Sequence, residues 1–385
     1  MKTRAVAATR DLGGTMRDCE PADTLARVRP LFPAFGITRV ANVTGLDRIG
    51  IPVWICIRPD GRCLSVSQGK GVTDELAQVS AVMESIELYH AERAAEPCLT
   101  ASYREARRRH RTVDPATLMP GVRGRRYHRT RPIAWARGRD LATGEPVLVP
   151  HAVVDANFSR PHADQGLFVV TTTGLASGNH RLEAVCHAVF EVVERDCEWR
   201  WESLGPAARR AREIAPDSID SALLRGLLDR FEEAGIHARM WDMTSEVGIP
   251  AYHCTLGDPG ALGGLELYYG AGCHLSTEIA LARALTEAAQ SRLTFISGSR
   301  DDVFPSWYEP APSVTRRRRA APGRLDFGAR RSCAGSTFAA DLDHARRRLG
   351  EAGFRRVVAV EHTRPEFGIP VIKVVIPGMR EVMEG

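Results

Sequence analysis

The sequence predicts an α/β chain of the α+β kind, built from repeated strand–helix units. Apolar runs of strand length alternate with longer helical segments along most of the 385 residues. Two of the helices copy one spacing of a polar residue followed by two glutamates, and a third carries a weaker copy. The first two copies each follow a glycine-rich approach, SQGKG and GLASG.

The first copy runs from Gly71 through Ala77, Ser80 and Glu84 to Glu87. The second runs from Gly178 through Ala184, His187 and Glu191 to Glu194 at identical separations. Positions i, i+4 and i+7 stack on one helix face, so each helix presents a hydroxyl or imidazole and two carboxylates in line. Stacked like charges repel by a few tenths of a kcal/mol per pair on an isolated helix. No lysine or arginine lies between Thr73 and His90 to relieve them, so a cation between the helices is expected. In the third copy Ala280, Arg283, Glu287 and Gln290 occupy the matching places, with Arg292 close by. Carboxylates for a metal beside donors for an anion point to a nucleotide polyphosphate with magnesium.

Residues 1–37 read as an irregular N-terminal segment with Pro21, Pro30 and Pro33 as breakers, and 38–385 as one domain. Strands are expected at 38–44 and 53–59, then CLSVSQGKG leads into the first helix. Residues 100–130 read as a basic, loop-rich connection. Short strands are expected at 146–154 and 167–174, the latter feeding the second helix. A helical pair covers 205–234 with Gly235 as its stop. ARMWDMT and IPAYHCTLG read as paired strands before the third helix. A helix near 340–350 and the strands RRVVAVEHT and PVIKVVIPG complete the chain.

Composition excludes several classes. No apolar run approaches the roughly 20 residues of a membrane span, and the N-terminus has no apolar secretory stretch. Nine cysteines without a CxxC argue against a disulfide framework and a structural zinc site, which fits a reduced cytoplasm. The net charge is +5, with arginine runs at 107–109, 123–126, 316–319 and 346–348. These suggest nucleic acid as one partner class, but no aromatic residues interleave them, and a solvated face is the preferred reading. SQGKG lacks the upstream glycine and following Ser/Thr of a P-loop, although Lys70 before a helix can still meet an anion.

SxGKG with the Ser80/Glu84/Glu87 helix resembles the YcaO superfamily, in the style of members that work beside a TfuA-like partner. So do GLASG with His187, Glu191 and Glu194-Arg195-Asp196, ALTEAAQSR before Arg300-Asp301-Asp302, and the ending GIPVIKVVIPG. The resemblance spans about residues 38–380 and rests on three motifs in order. It departs at Leu88, where many members have arginine, and at His187, where some have asparagine. It implies ATP- and Mg2+-dependent phosphorylation of a backbone amide oxygen in a ribosomally made precursor peptide. By motif, Glu84, Glu87, Glu191 and Glu194 would hold magnesium. Lys70, Ser80, Glu84, His187, Glu287, Gln290 and Arg292 would contact the nucleotide, with Glu191, Glu194 and Arg292 catalytic. The resemblance implies an azoline if a Cys, Ser or Thr of the substrate attacks, and a thioamide if sulfide does. The ending PGMREVMEG lacks the alternating proline tail of azoline-forming members, and GITRVANVTGLDRIGIPVW is similar to the TfuA-associated type, so a thioamide is favoured. A TfuA-like or E1-like protein is the expected partner, and a second copy of the chain is a further candidate. A catalytically inactive scaffold of the same fold is the alternative from another class.

Overall fold

A computed structural model of the chain describes residues 8–121, 126–159, 164, 166–258, 267–303, 308 and 324–382. The arginine run at 316–319 and residues 123–125 lie outside them.

The N-terminal segment departs from the irregular expectation. A hairpin, β1 (Arg10–Asp11) and β2 (Met16–Arg17), precedes helices α1 (Pro21–Val28) and α2 (Phe32–Phe35). Pro21 and Pro33 stand in the first turns of these helices, where a missing N–H costs nothing. Leu25, Val28 and Phe35 are buried in one core with the first glutamate helix. The prolines start helices here instead of breaking them.

Strands β3 (Arg39–Asn42), β4 (Val53–Ile57) and β5 (Val66–Lys70) form an antiparallel sheet that delivers the chain into α3 (Asp74–Ala91). The connection expected at 100–130 begins with β6 (Leu99–Ser102) and the single turn α4 (Tyr103–Ala106). β7 (Pro132–Asp140), where no strand was expected, pairs with β8 (Pro146–Pro150). The strand expected at 167–174 is instead the short β9 (Leu175–Ser177), directly before α5 (Arg181–Glu202). Helices α6 (Pro206–Ala211) and α7 (Ala222–Glu233) follow, the latter ended by Gly235 at φ 67°. β10 (His237–Asp242), β11 (Ala251–Gly257) and β12 (Leu267–Cys273) form a second three-stranded sheet, which feeds α8 (Thr277–Ser297). α9 (Phe338–Glu351), β13 (Val358–Glu361) and β14 (Val371–Val375) close the fold. The largest sheet has the order β6-β7-β13-β14-β9, with β8 on β7. Every strand ladder among the described residues is antiparallel, so the mixed class resolves to α+β.

The glycine-rich approaches have a steric cause. A Cβ on Gly69 would sit 2.0 Å from the backbone nitrogen of Ala81, and one on Gly270 would sit 2.3 Å from that of Ala288. Glycine in the strand and alanines in the helix let β5 lie on α3 and β12 on α8 backbone to backbone. Each helix is started by a side-chain cap. Thr73 accepts from the N–H of Leu76, His180 from Leu182, and Ser276 from Ile279. The arginines near 346–348 sit on α9 and pair within it, Arg346 with Asp343 and Arg348 with Glu351, as a solvated face does.

Candidate active site

The three strand–helix units are stitched together by their acidic residues. Glu84 accepts the backbone N–H of Gln68 at 3.2 Å and Glu191 that of Gly174 at 3.1 Å, so each is held by the strand segment before its own helix. Glu87 reaches across to the second unit and accepts both the N–H and the hydroxyl of Ser177, each at 2.7 Å. On α8, Glu287 pairs with Lys70 from β5 and lies 3.7 Å from the Arg195 guanidinium of α5. Arg195 also meets Glu194 at 3.6 Å and Glu198 at 2.8 Å. α3, α5 and α8 thus turn their partly accessible polar faces to one another.

The electrostatics demand a cation. Burial raises the carboxyl groups of Glu84 and Glu191, and it raises Glu87 to about 8 against the two bonds from Ser177. Glu194 leaves Oε2 buried without a hydrogen-bond partner among the described residues. An orphaned carboxylate oxygen beside carboxyls that resist ionisation fits a hard divalent ion. Among the described residues no three acidic or imidazole groups close into a cage.

Beside the glutamates two arginines flank His187, and one of them, Arg17, also pairs with the buried Glu183 at 3.3 Å. Arg283 approaches Nε2 of His187 at 3.0 Å, and Arg17 from the N-terminal hairpin approaches Nδ1 at 3.4 Å. Burial and these two guanidiniums keep His187 neutral, far below the usual imidazole range. A neutral imidazole has one lone-pair nitrogen, so only one arginine can donate to it. The Nε of Arg283 is also buried without a hydrogen-bond partner among the described residues. Surplus donors around an uncharged ring suit a phosphate. Arg283 stands among the anion donors expected on the third helix, whereas Arg17 and Arg195 carry no expected contact from the sequence. Arg195 follows the second motif directly, and Arg283 stands at the polar place of the third copy. Arg17 has no local signal at all.

Ser80 and Gln290 lie on the same accessible faces, and neither side chain hydrogen-bonds within the described residues. Arg292 does not join them. It lies five residues beyond Glu287, about 140° around the helix, and is buried on the far side. Its guanidinium is held by Asp47 and Asp258, both at 2.9 Å, and stacks on Tyr268. A guanidinium spent on two buried carboxylates cannot serve as a free phosphate donor, so the nucleotide and catalytic roles expected for Arg292 are corrected. Asp301 of the following motif accepts the Ser65 N–H and ties the end of α8 to the first sheet.

At the other end of Glu191, Lys373 of β14 donates to the Thr171 carbonyl at 2.6 Å, and Glu381 accepts from the hydroxyls of Thr171 and Thr173. No helix among the described residues is long and apolar enough to cross a membrane.

Comparison with known proteins bears on this arrangement. The family model described as YcaO cyclodehydratase, ATP- and Mg2+-binding, matches residues 68–380. The chain is 35% identical to a protein of the tfuA 3′ region of Rhizobium leguminosarum bv. trifolii, over 96% of this chain and 90% of that one. The structure of YcaO from Methanopyrus kandleri bound with AMPPCP and Mg2+ superposes with a TM-score of 0.76 at 25% identity, covering 97% and 95% of the two chains. A heterocyclase in complex with substrate and cofactor shares the fold, with a TM-score of 0.78 at 19% identity, over 99% of this chain and 54% of that one. The matched span contains both glutamate helices, the Lys70 strand and the third copy, so this chain belongs to the YcaO family of ATP- and Mg2+-binding, peptide-acting enzymes.

Proposed function

We propose that this chain uses ATP to replace the oxygen of a peptide backbone amide with sulfur. The observation that carries the reading is the facing of Glu84, Glu87, Glu191 and Glu194 against the Arg17–His187–Arg283 group, with Lys70, Arg195 and Glu287 between them. The glutamates are suited to hold magnesium, which would neutralise phosphate charge and align the transferred group. Arg283, whose Nε has no hydrogen-bond partner among the described residues, is placed to bind phosphate oxygens, with His187 as a neutral spacer. Ser80 and Gln290 offer free polar groups to the rest of the nucleotide. Glu287 holds Lys70 and Arg195 at the height of the glutamates.

In this reaction the amide oxygen takes the γ-phosphoryl group and ADP leaves. Hydrosulfide then adds at the carbon and phosphate departs with the added proton. Amide, ATP and hydrosulfide become thioamide, ADP and hydrogen phosphate. Sulfide as the nucleophile is supported by the relative in the tfuA 3′ region. A TfuA-like protein is the proposed partner and a precursor peptide the proposed substrate. An azoline formed by a substrate Cys, Ser or Thr is the second reading, favoured by the cyclodehydratase description of the family.

Mass spectrometry of a candidate peptide after incubation with ATP, Mg2+ and sulfide decides between them. Exchange of oxygen for sulfur supports the thioamide, and loss of water establishes the azoline. Peptide-independent ATP turnover with an unmodified peptide sinks both.

A further inference from the structure

Glu191 is aimed by one contact. Among the described residues its carboxylate takes a single hydrogen bond, from the Gly174 N–H at 3.1 Å. Gly174 is pressed against β14. Its carbonyl accepts the Val374 N–H at 2.7 Å, its φ is 81°, and a Cβ there would lie 2.5 Å from the Val374 carbonyl oxygen. Thr171 and Thr173, just before it, are gripped by another part of the chain.

That part is the segment after β14. Gly378 turns the chain at φ 97° and donates to the Thr117 carbonyl at 3.1 Å. Ile376 and Met379 are buried in one core with Val189 and Val193 of α5. The Arg380 N–H donates at 3.0 Å to Asp196, two residues beyond Glu194 on α5. Glu381 then accepts the Thr171 hydroxyl at 3.0 Å and the Thr173 hydroxyl. Lys373 of β14 donates to the Thr171 carbonyl at 2.6 Å, and the carboxylates of both Glu191 and Glu381 favour its charge. One segment thus holds the second unit twice, at the helix beyond Glu194 and at the loop that supports Glu191.

We propose that Glu381 is a positioning residue for the phosphoryl-transfer site: through the hydroxyls of Thr171 and Thr173 it fixes the Gly174 amide, and that amide aims Glu191 at magnesium. A metal-binding carboxylate is oriented by the groups that hydrogen-bond to it, and loosening such a group costs metal affinity. A hydroxyl donating to a carboxylate makes a stronger bond than one donating to a neutral acceptor, so Glu381 holds this loop more firmly than a backbone carbonyl would. Thr173 directly precedes Gly174, so little slack separates the grip from the amide it controls. This role rests on Glu191 as a magnesium ligand and is the same whichever nucleophile follows.

The test is the Mg2+ concentration required for binding a non-hydrolysable ATP analogue, measured by titration calorimetry. Glu381→Ala and Thr173→Val should each raise it about tenfold. The double variant should be no worse than either, because both cut one link. Thr173→Ser keeps the hydroxyl and should match the parent. In the ligand-free protein, hydrogen exchange at the Gly174 amide should quicken in Thr173→Val while the melting temperature changes little. An unchanged Mg2+ requirement in Glu381→Ala and Thr173→Val, or losses that add in the double variant, overturns the link. Equal losses in Thr173→Ser and Thr173→Val overturn the hydroxyl as its carrier. If Glu191→Gln raises the requirement and those variants do not, the role of Glu381 alone fails. If Glu191→Gln leaves it unchanged, the magnesium role of Glu191 fails and this one with it.

Discussion

Glu87 and Ser177 join the two glutamate helices, with the carboxylate of α3 accepting two bonds of 2.7 Å from the strand that feeds α5. The first glutamate helix therefore helps set the position of the second. Burial raises the carboxyls of Glu84, Glu87 and Glu191, and testable consequences come from that.

The nucleotide-free protein should lose stability as pH rises from about 6.5, the usual imidazole value, to about 8, the value reached by Glu87. Glu87 and Glu191 are raised above their unfolded values, so the folded state binds more protons in this window and stability falls with pH. The buried histidines His187, His253 and His274 are lowered, and their opposite effect is complete below the window. Magnesium with a non-hydrolysable ATP analogue should flatten the fall, read as melting temperature against pH. A melting temperature that rises across this range without ligand refutes the assignment.

Glu191→Gln should keep the fold and lose the reaction. The amide oxygen can still accept the Gly174 N–H, and a buried charge is removed. The melting temperature should hold or rise, while phosphate release falls about 100-fold or more. Near-parental turnover would show that Glu191 holds nothing essential.

Gly69→Ala should disrupt the fold. The new methyl group would lie 2.0 Å from the Ala81 nitrogen and 2.3 Å from the Ala77 carbonyl, both helix backbone. The cost is about 3 kcal/mol or more, since neither atom can move without shifting α3. Gly350→Ala is the contrast. It meets no atom within 4 Å on helix α9 and should stabilise by about 1 kcal/mol. Chemical denaturation measures both.

Arg292→Ala should cost about 3 kcal/mol by taking the guanidinium from buried Asp47, while Asp258 keeps its pair with Arg48 at 2.9 Å. The KM for ATP of the molecules that remain folded should be unchanged. Arg283→Ala should show the reverse pattern, with little loss of stability and a KM for ATP raised about tenfold or more. A raised KM in Arg292→Ala at parental stability would return that residue to the nucleotide.

The helices and their acidic lines were legible because periodicity and glycine approach are local signals. The spacing that aligns Glu84 with Glu87 also aligns Glu191 with Glu194, and no packing was needed to see it. β7 was missed because Arg137 and Arg139 interrupt an apolar alternation whose outward face is solvated. The strand expected at 167–174 failed because Thr171 and Thr173 use their polar groups on Lys373 and Glu381 instead of on a ladder. Arg292 looked equivalent to its neighbours on α8 until the helix was placed, and then its side of the cylinder decided its partners.

Spacing along the chain was thus enough to establish the family, the three strand–helix units and the carboxylates that want a cation, since each depends on residues within two helical turns. Packing alone settled which cations face those carboxylates and how the sheets meet. Lys70 meets Glu287, Arg17 meets His187, and β13 leaves β7 after two residue pairs. These contacts join segments more than a hundred residues apart, and no local periodicity encodes a distance of that kind.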